Sequence, residues 1–230
     1  MWFYSIFDDF ISLIYPKICI GCNQSLLKHE ECICTICKFH IPKTNHFIIK
    51  ENNLKKLFWG KVEISRAAAL YEFVKDSSLQ KMIHVLKYEE NKEVGIYLGK
   101  QIAYEMESSL FFNSIDYIIP VPLHPKKEKV RGYNQSLCIA NGIKEILKIK
   151  IDSNSLQRKI NTESQTKKNK YSRWENVGQV FELTNKKKLN NKHILLVDDV
   201  VTTGSTLESC IATLQQTEGI KVSIITIAIA

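Results

Sequence analysis

Apolar residues along this chain occur either in short continuous runs or at helical spacing, and the two patterns alternate. "RAAALYEF" and "DYIIPVPL" read as strands, the second stopped by two prolines; the run in "HILLVDDVV" is short, partly β-branched and bounded by polar residues, as a strand buried on both faces is, and "KVSIITIAIA" reads as a last buried strand. "SSLQKMIHVLKY", "KEVGIYLGKQIAYEME", "NQSLCIANGIKEILK" and "STLESCIATLQQT" space their apolar residues as helices do, the third with Asn134 or Ser136 as its cap. "VGQVFEL" reads as one more short strand. The alternation predicts an α/β fold, a mostly parallel sheet with helices on both faces and its ligand at the carboxyl ends of the strands.

The beginning of the chain breaks this pattern. Five of the seven cysteines lie between Cys19 and Cys37, and after about residue 45 none follows until Cys138. The shift predicts two units, residues 1–45 and 46–230. "MWFYSIFDDFISLIYPK" reads as a short docking helix, because Asp8 and Asp9 interrupt it well before it reaches a membrane-spanning length. No cleavable signal peptide precedes the cysteines, so a metal site in a reducing cytoplasm is expected rather than a disulfide framework.

Cys19 with Cys22 and Cys34 with Cys37 form two C-x-x-C knuckles, a spacing at which four thiolates close around one tetrahedral Zn²⁺ as a structural site. Cys32 offers an overlapping choice for the second pair, and His29 and His40 are further ligand candidates. Cys138 and Cys210 sit in apolar helical patterns and read as core; His84, His124 and His193 show no ligand spacing.

With 230 residues, 44% of them hydrophobic, the chain can bury one well-formed core plus an appendage. Its formal net charge of +8 favours phosphate-bearing partners, a class that includes both nucleic acid and a pyrophosphorylated small molecule.

The stretch "VDDVVTTGST" narrows that choice. Asp198 and Asp199, adjacent at a strand end, only accept hydrogen bonds when ionised, which suits the paired hydroxyls of a ribose. Thr202, Thr203, Ser205 and Thr206 surround Gly204 where a helix begins, and there free N–H groups, hydroxyls and the helix dipole favour a phosphate. Together they describe a pocket for a ribose 5-phosphate. The competing readings are that Asp199 or Thr203 caps the helix, or that the aspartates are an acidic pair of the response-regulator kind. No G-x-x-x-x-G-K-[ST] and no strand-following G-x-G-x-x-G is present to anchor another phosphate motif.

With "CIGC", "CTIC", "HVLKY", "IIPVPLHP", "RGYNQS", "NTESQT" and "RWENV", this stretch resembles the ComF family of type I phosphoribosyltransferase-like competence proteins over nearly the whole chain. The resemblance implies a type I phosphoribosyltransferase-like domain behind an N-terminal zinc ribbon. It also implies a cytoplasmic protein that uses phosphoribosyl pyrophosphate (PRPP) and Mg²⁺, with an acceptor the sequence does not name. Asp198 and Asp199 would hold the ribose hydroxyls and Thr202 to Thr206 the 5-phosphate. Arg131 and Gly132, in the "PLHPKKEKVRGYNQ" loop, would meet pyrophosphate, and residues 158–177 would form a closing loop in which Arg158, Thr162 and Gln165 match the family pattern. Lys167, Lys168, Lys170 and Arg173 would offset the leaving pyrophosphate there. Lys87 and Tyr88 match the family without a derivable contact. A link to natural competence brings in two other readings. One is a single-stranded DNA accessory working with competence helicase machinery, using exposed aromatics such as Trp59 or Trp174; the other is a PRPP sensor without turnover.

Overall fold

The computed structural model describes residues 15–109, 112, 114–159 and 180–230. Five strands form one parallel sheet: β1 (Arg66–Glu72), β2 (Tyr117–Pro120), β3 (Lys150–Ile151), β6 (His193–Val201) and β7 (Lys221–Ile229), in the order β1-β7-β6-β2-β3. β4 (Leu156–Arg158) and β5 (Phe181–Leu183) form a separate antiparallel pair.

Period-two alternation divides the central strands between two cores. Leu195, Val197, Ile225 and Ile227 face one side with Ala68 and Ile118, while Ile194, Leu196, Val222 and Ile224 face the other with Ala67 and Ile119. The first face is covered by α3 (Ser78–Tyr88), α4 (Lys92–Ser108) and α6 (Gln135–Leu147); the second by α8 (Ser205–Leu214), the β4–β5 pair and the short helix α2 (Asn53–Lys56). Each fully buried Leu or Ile contributes about 1.5–3 kcal/mol, and the polar residues buried on β7 are hydrogen-bonded, Ser223 with His193 and Thr226 to the Ala228 carbonyl.

α4 and α6 cross at glycine. A Cβ on Gly99 would lie 2.1 Å from the Ile139 carbonyl oxygen and one on Gly142 2.1 Å from that of Ile96, so only glycine permits this approach. The contact holds α6 tightly on the sheet, and the start of α6 reaches the site.

The cysteine-rich segment folds as a small unit with an antiparallel bridge between Ile18 and Ser25 and a five-residue helix, α1 (Thr35–Phe39). Cys19, Ile33, Cys34 and Ile41 join the same buried cluster as Leu79, Met82 and Leu86 of α3, and Lys81 Nζ donates to the Gly21 carbonyl at 2.6 Å.

The strands and helices predicted beyond residue 45 all have counterparts among the described residues. The expected loop "PLHPKKEKVRGYNQ" differs: it contains a helix, α5 (Pro125–Arg131), with His124 Nδ1 accepting from the Lys126 N–H, Pro125 in its first turn and Gly132 left-handed at its end. A cap, a proline and a terminal glycine outweigh the shortness of this polar run. One more short helix, α7 (Lys186–Leu189), precedes β6. The expected docking helix lies outside the described residues up to residue 14, as do Thr162, Gln165, Lys167, Lys168, Lys170, Arg173 and Trp174.

Candidate functional site

β2 and β6 are neighbours, but the chain leaves β2 toward β3 on one side and leaves β6 toward β7 on the other. A crevice therefore opens between their carboxyl ends, the usual ligand position in such sheets. Asp198 and Asp199 lie there. Each turns a carboxylate oxygen onto the next peptide: Asp199 N–H donates to Asp198 Oδ1 at 2.9 Å and Val200 N–H to Asp199 Oδ1 at 2.6 Å. The alternation slips at this point, since Val200 packs against the first core and Val201 against the second.

Neither aspartate caps α8. The cap position belongs to Gly204, at φ 76°, which has no side chain to cap with, and Thr203 Oγ1 accepts only a long hydrogen bond, 3.5 Å, from the Ser205 N–H. Thr203 Oγ1 and Ser205 Oγ stand 3.0 Å apart beside it, and Asp198 with Thr202 to Leu207 lines a small cavity of about 60 Å³. Phe58 packs against the turn, with its ring carbons 3.2 and 3.3 Å from where a Cβ on Gly204 would stand. The N–H groups at the positive end of this ten-residue helix, with hydroxyls around them, suit an anion.

The "RGYNQS" segment builds the opposite wall, and each residue has a distinct part. Arg131 ends α5 with its guanidinium carbon 5.5 Å from the centre of the Tyr88 ring, and its Nη1 donates to Gln135 Oε1 at 3.0 Å. Gly132, at φ 74°, donates its N–H to the Glu128 carbonyl and stops the helix. Tyr133 O–H donates to the Leu86 carbonyl. Asn134 caps α6 through the Ser136 N–H and donates to the Val121 carbonyl at 3.0 Å, which ties α6 to the end of β2. Ser136 Oγ donates to Asp198 Oδ1 at 3.1 Å. Of the two expected caps, Asn134 takes the task, and Ser136 is thereby free to reach the aspartate.

"HVLKY" is explained at the same place. Lys87 Nζ is 2.9 Å from Asp199 Oδ2, with both side chains largely buried at 22% and 15% exposure. Tyr88 lies beneath Arg131. Sequence reasoning could not supply these contacts, because nothing local links the end of α3 to the end of β6. Lys87, Tyr88, Lys126, Lys127, Val130 and Arg131 line a cavity of about 380 Å³, with Glu90 the one acid on its wall among the described residues. Burial, together with the neighbouring Asp199 carboxylate, pushes the Asp198 carboxyl up to about 7; the Asp199 N–H, the Ser136 hydroxyl and Lys87 oppose that rise. Arg158 lies on β4, with its guanidinium 5.4 Å from the centre of the Phe181 ring.

Cys19, Cys22, Cys34 and Cys37 bring their sulfurs within 4.8 Å of one another, and Cys22 Sγ is 3.8 Å from Cys34 Sγ. Four sulfurs at about 2.3 Å from a tetrahedral ion stand about 3.8 Å apart, so the set fits Zn²⁺. Cys34 Sγ also accepts from the Cys37 N–H, and Cys19 Sγ from the Cys34 N–H. Burial raises Cys37 to about 12; for Cys19 burial is outweighed by backbone N–H groups of Cys34, Cys22 and Gly21, which bring it down to about 7. Cys32, half-buried against the core, and the exposed His29 and His40 lie outside the four-sulfur cluster. His40 Nδ1 is instead 2.8 Å from the Ile36 carbonyl oxygen.

The chain matches the phosphoribosyl transferase domain family over residues 134–230. It is 26% identical to DNA utilization protein YhgH of Escherichia coli O157:H7 over 210 residues, covering 85% of this chain and 89% of that protein. It is 22% identical to Competence protein ComFC of Bacillus subtilis over 192 residues, covering 83% and 75%. The likeness to these two proteins, one of them a competence protein of the ComF type, runs along most of the chain. With YhgH of Escherichia coli O6:H1 the identity is 30%, across an alignment that spans 57% of that relative. Among solved structures, the allosteric regulatory enzyme of purine biosynthesis matches at a TM-score of 0.42 and 18% identity, over 61% of this chain and 29% of that one. Adenine phosphoribosyltransferase from Leishmania tarentolae matches at 0.39 and 13%, over 63% and 74%. Among the described residues, no helix is long and apolar enough to cross a membrane.

Proposed function

We propose that this chain binds PRPP with Mg²⁺ and transfers its ribosyl 5-phosphate to an acceptor, as a phosphoribosyltransferase of the ComF type in the cytoplasm. The observation that carries the reading is the crevice between β2 and β6, where two carboxylates stand beside a helix start whose cap position is the left-handed Gly204 with hydroxyls around it. Asp198 and Asp199 accept from the ribose hydroxyls, and Thr202, Thr203, Gly204, Ser205 and Thr206 surround the 5-phosphate. Arg131, held by Tyr88 and Gln135, faces the pyrophosphate; a planar guanidinium fixed on two sides pairs phosphate oxygens without further ordering cost. The hard carboxylate oxygens suit Mg²⁺, which offsets pyrophosphate charge when bound. The residues position the ligand and stabilise charge; no nucleophile is required.

In this reading residues 1–45 are a ribbon held by Zn²⁺ on the four cysteines, and residues 46–230 are the phosphoribosyltransferase-like domain. Calorimetry with PRPP and MgCl₂ tests it. Thr203→Val weakens PRPP and ribose 5-phosphate about tenfold and leaves pyrophosphate unchanged, because the hydroxyl meets only the 5-phosphate. Wild-type protein that binds no PRPP at millimolar concentration rejects the proposal.

A second reading, single-stranded DNA handling, is favoured by Trp59, which is 60% exposed with Lys56 Nζ 5.8 Å from its ring centre. An exposed ring with a cation beside it suits base stacking and phosphate contact. Its signature is an affinity for an oligonucleotide that falls steeply with salt and is reduced by Trp59→Ala.

A further inference from the structure

Lys87 faces two ways. Its ammonium pairs with Asp199, the carboxylate assigned above to the ribose, yet the same side chain lines the 380 Å³ cavity with Lys126, Lys127 and Arg131. The helix end that carries it is fixed, because Tyr133 O–H holds the Leu86 carbonyl and Arg131 lies over Tyr88. Only the flexible lysine stem remains to move, and a lysine ammonium is a point charge that can exchange one oxygen partner for another without a fixed fork geometry. Gln135 adds a sign that this wall is incomplete: it is 2% exposed, its Oε1 is used by Arg131, and its Nε2 has no partner.

We propose that Lys87 is a specificity-determining residue that couples the two ends of the ligand. Without ligand it neutralises Asp199. When a pyrophosphate enters the basic cavity, Lys87 transfers to it and leaves the Asp199 carboxylate free for the ribose hydroxyls. A ligand that carries both groups satisfies both partners at once. One that carries only a pyrophosphate strands Asp199 beside Asp198 without its cation, and one that carries only the diol competes with Lys87. The site thereby discriminates for a pyrophosphorylated ribose over either fragment, and by linkage each fragment strengthens the other. The inference rests on the PRPP reading.

Inorganic pyrophosphate and ribose 5-phosphate, titrated separately and together by calorimetry in magnesium buffer, test it on full-length protein. In wild type each probe tightens the other about threefold to tenfold, and Lys87→Met abolishes this coupling. Asp199→Asn frees the ammonium and tightens pyrophosphate by a similar factor; in the Lys87→Met background the same substitution has no effect. Lys87→Gln replaces Lys87→Met if the latter does not unfold cooperatively. Pyrophosphate affinity unchanged by Asp199→Asn overturns the proposal. So does an equal gain with and without Lys87, which marks simple charge repulsion. If wild type binds pyrophosphate but neither PRPP nor ribose 5-phosphate, the proposed function falls and takes this inference with it. If PRPP binds and only the coupling is missing, this inference alone fails.

Discussion

Ser136 Oγ donates to Asp198 Oδ1 at 3.1 Å, joining the first turn of α6 to the carboxyl end of β6. The hydroxyl is one of the groups that oppose the upward shift of Asp198. Ser136→Ala therefore raises the pH at which Asp198 ionises and weakens PRPP about tenfold at pH 7, since hydrogen bonds to charged groups contribute about 1.5–3 kcal/mol. The loss shrinks at pH 8.5, where the carboxylate is ionised without help. Affinities measured by calorimetry at the two pH values check this, and an equal loss at both contradicts it.

Asp198 also gives folding stability a pH dependence of definite sign. Its carboxyl titrates near 7 in the folded chain and in the ordinary carboxylate range in the unfolded one. Between about pH 4 and 7 the folded state holds a proton that the unfolded state has lost, so stability declines as pH rises through that window and levels off above it. Asp198→Asn removes the decline. Relative to wild type the variant gains on the order of 1–2 kcal/mol between pH 5 and pH 8, a figure kept below the full linkage value because the carboxyl is half-buried and screened. Urea unfolding of both proteins at the two pH values measures the difference.

Gly204 and Gly60 separate backbone strain from crowding. Both are left-handed, at φ 76° and 72°, but a Cβ on Gly204 would meet Phe58 at 3.2 Å, whereas one on Gly60 has nothing within 4 Å. Gly60→Ala costs about 1 kcal/mol from conformation alone, and Gly204→Ala costs about 2–3 kcal/mol because the ring must also shift. Thermal unfolding ranks them, and Gly204→Ala additionally weakens PRPP.

The cysteine cluster is expected to hold one zinc per chain. Cys37→Ser loses the metal and destabilises the segment that shares a core with α3, because structural zinc binding is itself folding energy. Cys32→Ser retains it. Elemental analysis of protein purified without chelator decides between them, and a metal-free wild type contradicts the assignment.

What the sequence determined by itself is what short-range chemistry encodes. Apolar runs and helical spacings specified the strands and helices because each depends on residues only a few positions apart. The paired C-x-x-C knuckles and "VDDVVTTGST" were legible for the same reason, since ligand spacing and a strand-to-helix turn are local. The α5 helix escaped because its signals are caps rather than an apolar face: His124 before Pro125, and Gly132 after Arg131. Tertiary structure decided the rest. It chose Cys34 and Cys37 over Cys32 by where the hairpin turns its sulfurs, and it set β2 beside β6 so that a crevice opens at the aspartates. It also gave Lys87 to Asp199, Ser136 to Asp198 and Arg131 to Tyr88. These partners lie on elements far apart in the chain, and only packing of α3 and α6 on the sheet, with its glycine-to-glycine crossing, brings them within bonding distance.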